Sequence, residues 1–168
     1  IHRLDPEAVM AVLPSDHLIR HPGRFSKDLQ RALQLAREGY LVTLGVVPNR
    51  PETGFGYLKT RWIKDHNKNI LKVEQFTEKP SLKTAQRFFK DKRYLWNSGM
   101  FVWKTEAILK AYQEFLPGLY RLLINKTDSG SVQKIWRRLP AISVDYGILE
   151  KAANVVTVPA SGMGWSDL

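Results

Sequence analysis

The 168-residue sequence contains no cysteine, which excludes disulfides, thiolate metal sites and cysteine nucleophiles. It also lacks an apolar run long enough to span a bilayer, and no charged segment followed by an apolar one marks its beginning. Internal repeats, low-complexity tracts and linker-like stretches are missing too. These absences indicate one domain over residues 1–168, predict no membrane partner and fit a cytoplasmic protein.

Negative charge is the scarcer sign, since 16 aspartates and glutamates stand against 26 lysines and arginines, for a formal net charge of +10. Such a balance raises the question of a nucleic-acid partner. The basic residues are spread along the whole chain, however, as is typical of a solvated surface. A positive field also raises the encounter rate of small anions. We predict no nucleic-acid partner, and a basic nucleic-acid-binding domain stays as an alternative.

Apolar patterning alternates between buried strands and amphipathic helices. Residues 9–13 form a buried strand, residues 25–36 carry apolar side chains at helical spacing before Gly39, and residues 40–47 form a second strand closed by Pro48. This unit has the length of a β-α-β crossover, which predicts a parallel pair of strands. The predicted fold class is α/β, with a mixed, mainly parallel sheet flanked by helices.

The remainder of the chain follows the same patterns less regularly. Further strands are predicted over residues 70–80, 99–103 and 154–159, and an apolar stripe over residues 132–139 predicts a helix. Ser81 and Thr105 are predicted to cap the helices that follow the first two of these strands.

Polar residues follow several predicted strands, at the place where open α/β sheets bind ligands. Asp16 and His17 come directly after the first strand, and Asp167 stands alone near the other end of the chain. Glu78 and Lys79 end the 70–80 strand, on opposite faces if the strand runs through both. A lysine there would supply a compact charge for a phosphate, and a carboxylate would accept hydrogen bonds from hydroxyl groups. For Asp16 and His17, ordinary loop chemistry after a strand explains the residues equally well.

Two segments combine small residues with aromatic ones. "PETGFGY", residues 51–57, offers glycines that let the backbone approach a ligand closely, although a plain turn leading into an edge strand has the same composition. "LWNSGMF", residues 95–101, places Asn97 and Ser98 between a tryptophan and a glycine, an unusual composition for a core strand.

Hydrolysis by a side-chain nucleophile is disfavoured, because no serine lies in a nucleophile-elbow pattern. His17 and His21 would bind a metal at their four-residue spacing only on a helix. Pro22 and the preceding strand argue against a helix at this point.

In this order, the segments resemble the sugar-1-phosphate nucleotidyltransferases, and within them the branch that uses GTP and mannose 1-phosphate. The matching segments extend over nearly the whole chain: "VLPSDHLI", "LVTLGVVPNRPETGFGYLK", "VEQFTEKP", "WNSGMFVW", "SVDYGILEK" and "GWSDL". The resemblance implies a Rossmann-like nucleotidyltransferase fold and a reaction that yields GDP-mannose and pyrophosphate. Residues 1–168 would be the central to C-terminal part of that single domain.

The resemblance also implies individual roles. Asp16 and Asp167 would hold a catalytic Mg²⁺, and Lys79 would contact the sugar phosphate, so that these three form the expected catalytic set. The expected substrate-binding residues comprise the ligands of the sugar hydroxyls and the residues around them: Gly54, Gly56, Tyr57, Glu78, Lys79, Asn97, Ser98 and Asp145. For Asp145 a helix-capping role stays open. His17 is expected to have a supporting or structural role.

The chemistry agrees with this set. The attacking phosphate oxygen is already ionised at neutral pH, so the reaction needs positioning and charge neutralisation and no general base. A divalent ion held by two carboxylates would serve that purpose.

One departure from the family is expected to matter. Its members carry a glycine-rich loop whose backbone N–H groups bind the nucleotide phosphates, and nothing like it occurs here. We therefore expect an internal piece, incomplete at the N-terminus and inactive alone, with guanine specificity implied by the resemblance only. Alternatives are a nucleotidyltransferase for another sugar 1-phosphate and nucleotide, or a non-catalytic paralogue; a homo-oligomer is compatible with the sequence.

Overall fold

The protein is described from a computed structural model, which describes residues 1–65, 68–124, 129–136 and 139–167. The strands are β1 (Val9–Val12), β2 (His17–Ile19), β3 (Leu41–Val46), β4 (Tyr57–Asp65), β5 (Lys68–Thr77), β6 (Tyr94–Lys104), β7 (Val155–Ala160) and β8 (Trp165–Asp167). The helices are α1 (Pro22–Arg37), α2 (Leu82–Lys90), α3 (Thr105–Phe115), α4 (Pro117–Leu123) and α5 (Ser129–Trp136), with a one-turn π-helix at Asp145–Leu149. None of the described helices is long and apolar enough to cross a membrane.

Six strands form one mixed sheet in the order β1-β6-β3-β7-β5-β4, and β2 pairs with β8 in a separate antiparallel ribbon. Strand β6 is long enough to pair with β3 on one side, and with β4 and then β1 on the other. Because β5 also pairs briefly with β7, the strands β3, β7, β5, β4 and β6 form a closed ring of pairings.

The predicted mixed α/β fold is confirmed, but the sheet is not mainly parallel. Among the pairings of the described strands, only β3–β7 is parallel. Strands β1 and β3, predicted as a parallel pair, run in the same direction, yet β6 lies between them and is antiparallel to both. The prediction was wrong because a β-α-β crossover of that length determines that the two strands run in the same direction, but it does not determine which strand lies next to which.

Helices cover both faces of the sheet. On one face, Ala32 and Leu35 of α1 are buried in a cluster with Val42 and Leu44 of β3. The opposite face packs against α3 and the π-helix through a second cluster, whose members include Leu41, Phe101, Ile108, Ala111 and Ile148. Since successive residues of β3 point to opposite faces, its nearly continuous burial follows from this two-sided covering.

The helix-boundary predictions are confirmed at two positions and wrong at a third. Gly39 adopts φ +92° directly after α1, a conformation that suits glycine, and the Ser81 hydroxyl accepts a hydrogen bond from the Thr84 N–H at the start of α2. Thr105 is the first residue of α3, and Lys104 occupies the capping position without a side-chain bond. The Thr105 hydroxyl instead lies 3.2 Å from His2 Nδ1.

Strand β4 lies where the alternative interpretation of residues 51–57 placed a strand after the turn. Helix α4 was not predicted, and β6 is longer than the predicted 99–103 strand. The stripe over 132–139 corresponds in part to α5, with residues 137 and 138 outside the described ranges.

The unusual composition of "LWNSGMF" is explained by a β-bulge. Between the pairs Thr43–Phe101 and Gly45–Asn97, residues 98–100 of β6 stand opposite Leu44 alone. The Ser98 hydroxyl donates to the Leu44 carbonyl at 2.6 Å and accepts from the Met100 N–H at 3.2 Å, while Gly99 adopts φ +69°. The bulge changes the direction of β6 and thereby determines where Asn97 lies.

Candidate active site

Four predicted site residues converge where β5 ends and β4 and the π-helix begin, beside the bulge of β6. Asn97 Nδ2 donates to Asp145 Oδ1 at 2.9 Å, and the Asn97 backbone N–H donates to the Gly56 carbonyl at 2.8 Å. A Cβ atom added to Gly56 would lie 2.2 Å from Glu78 Oε1, so the Glu78 carboxyl rests directly on this glycine. We call Gly56, Glu78, Asn97 and Asp145 the acceptor cluster.

The Asn97 amide has one orientation in this cluster. Its Oδ1 accepts from the Thr43 hydroxyl and from the Gly99 N–H, both at 3.2 Å, while its Nδ2 donates to Asp145. A flipped amide would place donors against donors. The bulge of β6 therefore supplies both the position and the polarity of this side chain.

The carboxyl groups of the cluster are partly removed from water. Burial raises the pKa of Glu78, the Asp145 carboxylate raises it further, and a hydrogen bond from Asn97 together with the Lys79 charge opposes the rise. Burial also raises the pKa of Asp145, although the hydrogen bond from Asn97 acts in the opposite direction and lowers it. Half-buried carboxylates that repel each other are stabilised by added hydrogen-bond donors, such as hydroxyl groups.

Lys79 adopts the left-handed conformation, at φ +42°, between Glu78 and the buried Pro80. This conformation is rare for a residue other than glycine and is disfavoured before proline; it typically costs on the order of 1–3 kcal/mol. It ends the alternation of the strand, so the prediction that Glu78 and Lys79 occupy opposite faces no longer applies. The Lys79 side chain is exposed, and its charge opposes the rise in the pKa of Glu78.

Tyr57 and Ser98, predicted to bind substrate, are instead buried in the scaffold. The Tyr57 hydroxyl donates to the Glu52 carbonyl at 2.9 Å and accepts from the Glu52 N–H at 3.0 Å, which braces the 51–56 loop. Ser98 is occupied by the bulge. Gly54 lies on the exposed part of that loop, and its N–H donates to the Glu52 carboxylate at 3.0 Å.

The two predicted metal ligands lie in the β2–β8 ribbon. His17 pairs with Asp167 across the two strands, and Asp16 immediately precedes His17. The two aspartates thus come from distant parts of the sequence to neighbouring positions of one ribbon. Asp16 is exposed and makes no hydrogen bond or ion pair with a described residue, and the Asp167 side chain is 41% exposed.

The donor chemistry of this ribbon fits Mg²⁺, a hard cation that prefers oxygen ligands and is commonly held by one or two carboxylates plus water and phosphate. Within the described residues, no group of three or more histidine, aspartate or glutamate side chains could enclose a metal ion. A cation here would therefore depend on water and substrate for its remaining ligands.

Sequence reasoning missed an aromatic cluster that joins the two parts of the site. Phe55 packs edge-on against Trp96 and Trp165 with ring centroids 5.2 Å apart in both cases, and His17 packs edge-on against Trp165 at 5.4 Å. The Arg50 guanidinium lies over the Trp96 ring, 5.3 Å from its centroid. Each aromatic residue stands within two positions of a predicted site residue in the sequence, and that adjacency was the available signal.

Two sizeable cavities of the chain lie away from these residues. One of about 560 Å³ lies between the ends of α1 and α3, and one of about 600 Å³ lies beneath residues 1–3. Neither is lined by a residue of the acceptor cluster or by the two aspartates. Gly56 is buried, and Glu78, Asn97 and Asp145 are partly buried.

The fold is a mixed α/β sheet flanked by helices, and comparison with known proteins names the class. Residues 2–168 match the family model described as nucleotidyl transferase. The chain belongs to the nucleotidyl transferase family.

Particular relatives narrow the similarity. The chain is 36% identical over 176 residues to mannose-1-phosphate guanylyltransferase of Klebsiella pneumoniae, covering 99% of this chain and 37% of that protein. It is 32% identical over 177 residues to the protein of the same name from Escherichia coli strain K12, again covering 99% and 37%. It is 35% identical over 170 residues to the xanthan biosynthesis protein XanB of Xanthomonas campestris strain B100, covering 96% and 35%.

Two solved structures are similar in fold. A Thermus thermophilus protein named mannose-1-phosphate geranyltransferase superposes with a TM-score of 0.83 at 32% identity, covering 99% of this chain and 48% of that one. A Helicobacter pylori protein named mannose-6-phosphate isomerase gives a TM-score of 0.79 at 30% identity, covering 97% and 66%. The chain spans about a third of the length of the curated relatives it matches.

Proposed function

We propose that the chain provides the sugar-phosphate and metal sites of a mannose-1-phosphate guanylyltransferase. The complete reaction would transfer the guanylyl group of GTP to mannose 1-phosphate and release GDP-mannose and pyrophosphate. The observation that carries the proposal is the clustering of Gly56, Glu78, Asn97 and Asp145, in which the Lys79 charge lowers the pKa of Glu78 against burial. Family membership and the names of the relatives support it.

The acceptor cluster suits a sugar. Its carboxylates accept hydrogen bonds, and their raised pKa values reflect a surplus of acceptor charge in a half-buried place. A hexose offers several hydroxyl donors at fixed spacing, so it can satisfy both carboxyl groups without adding charge. Gly56 leaves the Glu78 carboxyl room that a Cβ atom would occupy.

Lys79 suits the phosphate of the same ligand. An ammonium group beside the cluster would bind the phosphate dianion while Glu78 and Asp145 accept from the ring hydroxyls, which orients the ligand along one direction. The phosphate oxygen that attacks is already ionised, so none of these residues has to remove a proton.

Asp16 and Asp167 are the residues that would hold Mg²⁺. Bound there, the ion supplies neutralisation of the negative charge on the reacting phosphates. The aromatic cluster keeps the β2–β8 ribbon and the 51–56 loop at one distance, because Phe55 and Trp165 are in direct contact. The chain would thereby align the sugar phosphate with the place where charge develops.

The test is a binding series on the chain by isothermal titration calorimetry, with mannose 1-phosphate, glucose 1-phosphate and unphosphorylated mannose. We expect mannose 1-phosphate to bind most tightly. Preference for glucose 1-phosphate would favour another sugar specificity, and equal affinity for mannose and its phosphate would contradict the proposal. A salt titration of DNA binding tests the nucleic-acid alternative, since a true binder loses affinity steeply with salt.

Transfer itself is tested by pyrophosphate release from GTP, in a protein that contains this chain together with a nucleotide-binding segment. Binding without transfer would favour a non-catalytic paralogue. Cytoplasmic location, Mg²⁺ as the cofactor and homo-oligomerisation stay predictions.

A further inference from the structure

We propose that His17 and Trp165 are positioning residues for Asp167. Trp165 holds the His17 ring in the tautomer that carries its proton on Nε2, and this N–H orients the Asp167 carboxylate. The inference rests on the proposed function, because it assigns Asp167 to cation binding.

The geometry of the three side chains is specific. Trp165 Nε1 donates to His17 Nδ1 at 3.1 Å, and the two rings meet edge to face at an interplanar angle of 85°. The other ring nitrogen, His17 Nε2, lies 3.6 Å from Asp167 Oδ1. The antiparallel register of the ribbon pairs His17 with Asp167, and the His17 side chain is only 10% exposed. The ring is therefore held between an indole and a carboxylate.

The chemistry of the indole decides the tautomer. An indole N–H can donate and cannot accept, so the nitrogen it meets must present a lone pair. His17 Nδ1 is therefore the unprotonated nitrogen, and the neutral ring carries its proton on Nε2. That proton is directed at the only charged group paired with the ring among the described residues, the Asp167 carboxylate.

The Nε2–Oδ1 separation exceeds a normal hydrogen-bond length, so the contact is electrostatic in this structure. Such contacts commonly shorten when the ligand is bound. In either form the imidazole N–H engages Oδ1 and leaves Oδ2 available to a cation.

The same arrangement excludes His17 itself as a metal ligand. Its Nδ1 lone pair is engaged by Trp165, and Nε2 carries a proton. From the sequence, His17 was expected to have a supporting or structural role. Its contacts indicate that this role is to orient the Asp167 carboxylate. Hydrogen-bonding partners of metal-ligating groups typically change metal affinity by about 10- to 100-fold when they are removed.

The first experiment determines the tautomer. Long-range ¹H–¹⁵N spectra of the imidazoles in the ¹⁵N-labelled chain, assigned with His17→Gln, distinguish Nε2–H from Nδ1–H. We expect Nε2–H for His17, and a mixture in Trp165→Phe, which retains an aromatic ring and removes only the donor. Trp96→Phe is the matched control: it belongs to the same aromatic cluster, but its indole N–H has no partner in the described structure. An Nδ1–H tautomer in the wild type, or no change in Trp165→Phe, would overturn the assignment.

The second experiment measures Mn²⁺ affinity by water-proton relaxation, with Mn²⁺ as the probe for the divalent site. We expect His17→Phe to weaken binding about 10-fold, His17→Gln to restore part of the loss by donating an amide N–H, and Trp96→Phe to leave the affinity unchanged. Trp165→Phe should weaken binding in the wild-type background and add nothing in His17→Phe. Circular dichroism verifies that each variant is folded.

The outcomes separate this inference from the proposed function. One outcome would overturn the positioning role and leave the metal site intact: Mn²⁺ binds the wild type, its binding is lost in Asp16→Asn, and its affinity is unchanged in His17→Phe. Absence of Mn²⁺ binding in the wild type would overturn the metal site and this role together. Additive effects of the His17 and Trp165 substitutions would show that they act separately, which contradicts the proposal.

Discussion

At the scale of single residues, the candidate site depends on a few side chains that local structure places in unusual states. Lys79 is left-handed, Gly56 lies under a carboxylate, and Asn97 has a single amide orientation. Each state has a cost in conformational freedom or strain, and each brings a polar group to the acceptor cluster. Substitutions at these positions should therefore change ligand affinity and the free energy of unfolding to different extents.

Replacing Lys79 with methionine should weaken the binding of mannose 1-phosphate. Methionine keeps much of the apolar stem and removes one charge-assisted contact, whose loss costs roughly 1.5–3 kcal/mol, or about ten- to a hundred-fold in affinity. Calorimetry with mannose 1-phosphate and with mannose measures the effect, which should be absent for mannose. Lys83→Met, at an exposed position of α2, is the control. An equal loss in both lysine variants would contradict a specific role.

Replacing Gly56 with alanine should impair sugar binding more than stability. The new Cβ atom would lie 2.2 Å from Glu78 Oε1, so the flexible end of Glu78 has to move while the backbone does not. We expect the free energy of unfolding in denaturant to change by less than about 1 kcal/mol, and binding of mannose 1-phosphate to fall. Gly118→Ala, where no atom lies within 4 Å of the added Cβ, controls for the substitution itself. A large loss of stability with unchanged affinity would show that Gly56 serves packing only.

The raised pKa of Glu78 predicts that ionisation of this carboxyl lowers the stability of the fold as the pH rises. Burial, followed by the Asp145 charge, raises this pKa above its ordinary value of 4.5. The folded state thus favours the protonated form, so the contribution to stability is fully present below pH 4.5 and is lost as pH rises through the folded pKa. Glu78→Gln, which cannot ionise, should be more stable than the wild type at about pH 7, with the difference shrinking as the pH falls from the raised folded pKa to 4.5 and staying constant below that value. Thermal denaturation across this range measures it, and a difference that is independent of pH would argue against the buried charge.

At the scale of elements, the bulge in β6 and the β2–β8 ribbon carry the two parts of the site. The bulge directs Asn97 toward Asp145, and the ribbon pairs His17, the residue after Asp16, with Asp167. Both are short irregular features supported by side chains packed beneath them. Their support, rather than the polar residues alone, determines the geometry of the site.

Replacing Ser98 with alanine should disturb the bulge. The change leaves the buried Leu44 carbonyl and Met100 N–H without the hydroxyl that both contact, which costs about 1–3 kcal/mol. We expect a lower free energy of unfolding together with weaker binding of mannose 1-phosphate, because Asn97 shifts with the bulge. Ser26→Ala on the exposed side of α1 should leave both unchanged. Lost stability with normal binding would mean that Asn97 is positioned independently of Ser98.

At the scale of the whole molecule, the sheet brings together segments that are distant in the sequence. Strand β6 inserts between β1 and β3, and β7 joins β3 in the one parallel pairing of the described sheet. The N-terminal and C-terminal segments meet in the β2–β8 ribbon. The candidate metal site thus depends on the complete tertiary arrangement of the chain.

The 168 residues alone should bind mannose 1-phosphate without releasing pyrophosphate from GTP. They contain no glycine-rich segment of the kind that binds nucleotide phosphates, and even one lost donor costs about 10²–10³ in rate in other reactions. Exposed apolar side chains near β1, Val12 at 38% and Leu13 at 45%, should also favour self-association, which analytical ultracentrifugation measures. Pyrophosphate release by the chain alone, at the rate of a protein with a nucleotide-binding segment, would show that GTP binds elsewhere than expected.

Local sequence patterns by themselves determined the elements around the site. The continuous apolar run of β3, the helical spacing of α1 and the cap at Ser81 depend on residues close in sequence, and these predictions are confirmed. Ordered motifs also identified the family, because a match over most of the chain depends on residue identity and order.

Only the tertiary structure decided which strands are neighbours and which predicted residues meet. The place of β6 beside β1 depends on pairing between distant segments, which a β-α-β pattern leaves open. Tyr57 and Ser98 share motifs with other predicted site residues, and only the structure shows that both are buried and bonded to the scaffold. His17 acquired its partners, Trp165 and Asp167, from the far end of the chain, because a hydrogen bond needs proximity in space that no local pattern specifies.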